Sequence, residues 1–164
     1  MSKPSASELF NIKNPIHFLA LGFGSGLSPK APGTAGTVAA IPLFLLCSLL
    51  PINAFIVVTV FISLIGIWIC DKASKDAGVH DHGAIVWDEI AGFFVTMIAI
   101  PVSVETVLFG FVIFRILDIA KPWPISWFDK KVSGGFGIMI DDIIAGILGL
   151  VIMHLIFNPN YYLL

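Results

Sequence analysis

Residues 84–120 read AIVWDEIAGFFVTMIAIPVSVETVLFGFVIFRILDIA, two long apolar runs that meet at Pro101-Val102-Ser103. A helix needs roughly 20 apolar residues, or slightly fewer, to cross a hydrocarbon core of about 30 Å, and each run suits that length. The break between them is too short to do more than reverse the chain, and proline suits such a turn. An antiparallel hairpin of two transmembrane helices, Ala84 to Ile100 and Val104 to Ala120, is expected. Asp88 and Glu89 open the first helix while Arg115 and Asp118 close the second, so the hairpin brings all four to one side.

The rest of the chain extends this pattern. Thr34 to Leu50, Asn53 to Cys70 and Gly137 to Phe157 are equally apolar, with Pro51-Ile52 reversing the chain between the first two. The expected fold is therefore all-α: a polytopic transmembrane helical bundle of about five spans. The run from Ile16 to Leu27 is too short to span and reads as an interfacial or re-entrant helix, with Gly22 and Gly26 as a small-residue contact face. Lys3 and Lys13 ahead of it give it the look of a signal peptide, but it is Gly-rich and leads into further spans, so it is read as retained.

Composition agrees. Of 164 residues, 57% are hydrophobic and 12% charged, and the mean hydropathy is +0.97, far from the balance of a soluble domain. A net charge of -2, from 11 acids and 9 bases, offers nothing to nucleic acid. With no internal repeat, a single membrane-embedded domain covers 1–164, residues 1–15 forming its polar N-terminal segment. Nothing in the sequence sets an oligomeric state.

Threading the chain through these spans places residues 1–33, 71–83 and 121–136, with the adjoining helix ends, on one side. All 9 Lys and Arg fall there, and the positive-inside rule makes that side cytoplasmic, with the N-terminus in and the C-terminus out. The acids share that side, apart from Glu105. Trp123 and Trp127 mark a short interfacial segment, and Tyr161 and Tyr162 the opposite interface. Cys47 and Cys70 are expected about 25 Å apart, out of disulfide reach, as packing residues.

Chemistry must lie among the cytoplasmic helix ends. Asp88, Glu89, Asp118, Asp141 and Asp142 each sit about one turn, roughly 6 Å, inside their helices, near the depth of a phospholipid phosphate. Ionisable groups within membrane segments are expensive and functional by default. Carboxylates converging from three helices repel unless they are protonated or share a cation. Mg2+ fits, being a hard ion that takes carboxylates together with substrate phosphate. No Cys/His cluster offers zinc an alternative. Arg115, the sole arginine, is better explained as a phosphate clamp than by the alternative, an intrahelical ion pair with Asp118 three residues on. In Pro32-Gly33-Thr34-Ala35-Gly36-Thr37, Thr34 can cap the helix and the first-turn amides of Gly33, Thr34, Gly36 and Thr37 can hold an anion; a simple cap fits equally. His80, Asp81 and His82 either orient groups around the site or form an ordinary turn.

Four stretches carry a resemblance: GFGSGLSPKAPGTAGT (Gly22 to Thr37), DAGVHDHGAIVWDE (Asp76 to Glu89), FRILDIAKPWPISWFD (Phe114 to Asp129) and GGFGIMIDD (Gly134 to Asp142). Together they resemble the phosphatidylglycerophosphatase A family, with Lys30 standing where that pattern expects an apolar residue. The resemblance implies a bacterial, multi-pass, inner-membrane, Mg2+-dependent phosphatase of glycerophospholipid biosynthesis, acting on a membrane phospholipid at the cytoplasmic side. It implies phosphatidylglycerophosphate as substrate and phosphatidylglycerol as product. It assigns Asp88, Glu89, Asp118, Asp141 and Asp142 to metal and catalysis, and Arg115 to phosphate. Attack by water and attack by a carboxylate both remain open. The rival function is a small carboxylate-based ion or solute transporter, whose acids would instead lie near the midplane.

Overall fold

Each expected span contains a helix, and several helix ends are set by proline, glycine or a capping side chain. The computed structural model describes residues 5–79 and 82–157, and among these no residue is in a strand. His80, Asp81, Tyr161 and Tyr162 lie outside the described residues. Pro32 opens α3 (Pro32–Cys47) at its first position, where a missing N–H costs nothing. Helix α4 (Ile52–Ala77) runs from Pro51 to a left-handed Gly78. In α6 (Val104–Ala120) Ser103 and Thr106 cap one another reciprocally, Ser103 N donating to Thr106 Oγ1 at 2.9 Å and Thr106 N to Ser103 Oγ at 3.1 Å. Helix α5 covers Trp87–Thr96, α7 Ile125–Lys131 and α8 Gly134–Phe157.

These bounds revise the five-span reading. Among the described residues, only α4, with 26 residues, and α8, with 24, are by length and composition able to cross a membrane. Helix α4 outlasts its expected end at Cys70 because Lys72–Asp76 and Lys75–Asp71 pair at i,i+4. Helix α6 keeps its expected bounds, whereas α3 spans 16 residues and α5 only 10. About 15 Å of helix cannot cross a 30 Å core. The reason is local: Ala84 to Val86 are not helical, and Val86 N donates to Ala20 O at 2.8 Å.

The expected helix from Ile16 to Leu27 is likewise broken. A short α1 (Ala6–Leu9) leads to α2 (Pro15–Ala20), and the chain then turns through Gly22, Phe23 and Gly24, all at positive φ, into a 3-10 turn at Ser25–Leu27. Gly22 and Gly26 therefore do not form one helical face. Gly26 admits the incoming chain, since a Cβ there would lie 2.0 Å from the Ala84 carbonyl oxygen.

Helix α5 is the hub, buried on every side and packed against α8, α3, α4 and α6. Its parallel contact with α8 is made by small residues. A Cβ on Gly146 would meet the Gly92 carbonyl oxygen at 2.5 Å, and Gly149 faces the Thr96 side chain. Thr96 Oγ1 donates back to Gly92 O at 3.0 Å, so its hydroxyl is satisfied inside the contact. Towards the C-terminal end of α5 the core is aromatic: Phe55 stacks on Phe94 at 5.6 Å and Phe44 meets Phe55, Phe93 and Phe94 edge-on. A cavity of about 170 Å³ at that end, lined by Phe44, Met97 and Ile100 among others, has no ionisable side chain.

Gly146→Leu should force α5 and α8 apart. Overpacking of this kind costs about 1–3 kcal/mol, so Tm in detergent should fall by about 2–4 °C per kcal/mol. Ile147→Leu, at a half-exposed neighbour, should leave Tm unchanged.

Candidate active site

The Gly92–Gly146 contact sets the register of the acids. Asp88 lies four residues before Gly92 and Asp142 four before Gly146, so in parallel helices they meet one turn below the crossing. Glu89 reaches the same centre, and oxygens of Asp88, Glu89 and Asp142 all lie within 4.8 Å of one another. From antiparallel α6, Asp118 comes within hydrogen-bonding reach of Asp142 and ion-pairs with Arg115 Nη1. Arg115 Nη1 is also 3.7 Å from Glu89 Oε1. Four carboxylates thus gather at one place, Glu89 and Asp118 against the guanidinium, with Asp88, Asp118 and Asp142 each at most 9% exposed.

Such a group is incomplete by itself. Glu89 Oε2, Asp142 Oδ2 and Arg115 Nε are buried without a hydrogen-bond partner, and unsatisfied buried polar atoms cost about 1–3 kcal/mol each. A hard divalent cation would take the carboxylate oxygens and a phosphate the guanidinium. Both are chemically matched to the donors present.

Gly33, at the second position of α3, supplies the backbone wall. A Cβ there would fall 2.2 Å from Glu89 Oε1 and about 3.0 Å from Arg115 Nη2, so only glycine allows the α3 amides to stand beside both groups. Its three companions in the PGT segment differ in placement. Thr34 lies inside the helix, with Ala31 as the N-terminal boundary and no side-chain cap. Gly36 makes room for Val86, and the buried Thr37 hydroxyl donates to Gly33 O at 2.9 Å. Thr37 therefore stabilises the turn that presents Gly33.

Asp141 takes a different partner from its neighbour. It ion-pairs with Lys121, which also holds Asp129 of α7, tying the ends of α6, α7 and α8 together. Burial alone would lower Lys121, but the bonds to Asp129 and Asp141 more than reverse this and hold it above the ordinary lysine range. Sequence reading missed Lys121, because 20 residues separate it from Asp141 and no local spacing links them. It missed Asp71 for the same reason: the Asp71 carboxylate accepts from Gly135 N at 3.2 Å and so caps α8 from α4. The Gly134–Gly135 joint is thus a close contact, a Cβ on Gly135 falling 1.9 Å from the Ile67 carbonyl oxygen. His82 lines a polar cavity of about 440 Å³ with Ser5, Ser7, Ser28 and Pro32, beside the α3 N-terminus, and its Nδ1 accepts from Ala84 N at 3.1 Å.

The family model for phosphatidylglycerophosphatase A matches residues 18–157. A phosphatidylglycerophosphatase A of Escherichia coli K12 is 51% identical over 155 residues, covering 94% of this chain and 90% of the relative. One from Haemophilus influenzae is 45% identical over 166 residues, covering 100% of each. A Bacteroides thetaiotaomicron protein with the provisional name phosphatidylinositol-3-phosphatase is 35% identical over 143 residues, covering 82% of this chain and 89% of its own length. No solved structure matches the chain significantly.

Because Lys121 is raised, its ion pairs contribute fully below the unfolded lysine value of about 10.4 and are lost only as pH climbs through the higher folded value. Lys121→Met should therefore lower Tm by the same margin at about pH 7 and about pH 9, and the margin should shrink only in stronger alkali. A gap that closes between the two lower pH values would show that the pairs do not stabilise the fold.

Proposed function

The chain belongs to the phosphatidylglycerophosphatase A family, and on that premise we propose that it hydrolyses the terminal phosphomonoester of phosphatidylglycerophosphate to phosphatidylglycerol and inorganic phosphate. In this reading the reaction needs Mg2+ and takes place at the cytoplasmic face of a bacterial inner membrane. The observation that carries it is the convergence of Asp88, Glu89 and Asp142 beside Arg115, with buried oxygens left for a cation. Asp88, Glu89 and Asp142 would hold the Mg2+, which when bound neutralises phosphate charge and makes water a better nucleophile.

The chain's own groups do the rest. Arg115, braced by Asp118, presents its guanidinium to the non-bridging oxygens. The amides of Gly33 and Thr34, which the first turn of α3 leaves without helical acceptors, donate to the same phosphate. Asp118 shares the Arg115 charge, keeping the guanidinium from collapsing onto Glu89. Asp141, bound to Lys121, fixes the start of α8 and acts at one remove. Two of the relatives are phosphatidylglycerophosphatases and the third carries the provisional name of a phosphatidylinositol phosphatase, which disfavours the transporter reading.

Asp142→Asn should lower kcat for phosphate release by at least about 100-fold while Tm stays near wild type. Arg115→Lys keeps charge but loses the planar fork, so KM should rise more than kcat falls. Chelation should abolish release from phosphatidylglycerophosphate in detergent micelles, and added Mg2+ should restore it. Equal turnover of Asp142→Asn, or full activity in excess chelator, would overturn the assignment. Acid quench of a single turnover on phosphorus-radiolabelled lipid separates the routes: an aspartyl-phosphate leaves label on the protein that hydroxylamine releases, whereas direct water attack leaves none.

A further inference from the structure

Arg115 belongs to two surfaces. Its guanidinium faces the carboxylates, and the residue also lines an open groove of about 360 Å³ along α6 with Phe111, Val112, Ile116, Ile119 and Ala120. That lining is almost wholly apolar, so the methylene stem of Arg115 forms its floor while the charged end turns inward. Val112, Ile116 and Ile119 are 49%, 59% and 69% exposed and none is covered by another helix. From Ala120 to Phe111 the groove follows about 13 Å of helix, close to the roughly 15 Å of one leaflet's hydrocarbon.

We propose that this groove seats an acyl chain of the lipid phosphomonoester substrate, so that the lipid reaches the site laterally from the cytoplasmic leaflet with its chain along α6 and its phosphate at Arg115. The inference rests on the phosphatase reading above. Its carrying feature is continuity: one residue walls the apolar groove and sits among the buried acids, so an amphiphile with an anionic head and an apolar tail satisfies both faces at once. The cavity beside the α3 N-terminus has a mixed lining, in which Ser5, Ser7, Ser28 and His82 alternate with Leu27 and Pro29, and Arg115 does not line it. The acyl chain, and not the phosphate alone, then contributes to selection.

The test uses the full chain in mixed micelles and two phosphatidylglycerophosphates that differ only in acyl length, palmitoyl and hexanoyl. Ile116→Trp and Ile119→Trp fill the groove from its exposed rim without touching the carboxylates. Each should lower kcat/KM for the long-chain lipid by about tenfold, the weight of about two buried methylenes, while the short-chain value stays within about twofold. Val57→Trp, at a 67% exposed position of α4, should change neither. A long-to-short ratio unchanged in both groove variants overturns the inference while leaving the phosphatase reading intact. Wild-type protein that releases phosphate from neither lipid overturns that reading, and the inference with it. A second measurement needs no substitution: a mid-chain diazirine on the palmitoyl phosphomonoester should label residues 111–120, competed by unlabelled phosphomonoester but not by phosphatidylcholine of the same chains. Equal competition by both would show that the groove holds bulk lipid only.

Discussion

The close approach of α5 and α8 at Gly92 and Gly146 governs everything at the polar end of the molecule. Two parallel helices whose backbones nearly touch cannot slide or rotate independently, so a carboxylate one turn before each contact point must face the other. A Cβ at either glycine would fall within 3 Å of the facing backbone and force the helices apart. Helix α6 is held to the same crossing by Phe114, whose ring fills the space above Gly92. Three residues separate Phe114 from Asp118 by about one turn, which delivers the fourth acid to the same depth.

The molecule is accordingly divided along its length. Around Phe44, Phe55, Phe93 and Phe94 the helices are held by ring contacts and apolar burial, which need no directional partner. At the other end the helices are held by charge, and there the carboxylates outnumber the local cations. Lys121 holds Asp129 and one oxygen of Asp141, and Arg115 serves Asp118 and Glu89, but Glu89 Oε2, Asp141 Oδ1 and Asp142 Oδ2 are left over. A stable aromatic half can carry an electrostatically strained half, and that strain is what a cation and a phosphate would relieve.

The access routes follow from the same division. Ser5, Ser7, Ser28 and His82 bring polar groups to a cavity beside the α3 N-terminus, while α6 presents an apolar track that Arg115 lines. A reaction that takes a lipid and releases a hydrated anion needs surfaces of both kinds around one centre.

Much of this was legible in the sequence. Apolar runs broken at Pro51 and Pro101 announce helices and hairpins, the bounds of α6 follow from its cap, and the gathering of acids at one end is a matter of where they fall in each run. Pattern alone also overestimated α5 and the segment from Ile16 to Leu27. Hydropathy reports what a stretch prefers as solvent, and a short helix buried by protein scores like one buried by lipid. What only the tertiary structure decided is which acids meet. Asp141 and Asp142 are adjacent in sequence, but consecutive residues of an α-helix point about 100° apart. Asp142 therefore faces α5 and the other acids, and Asp141 faces Lys121. The same holds for the contacts of Gly33 with Glu89 and Arg115, of Asp71 with Gly135 and of Lys121 with Asp141, which join residues 20 to 82 apart and are made only by packing.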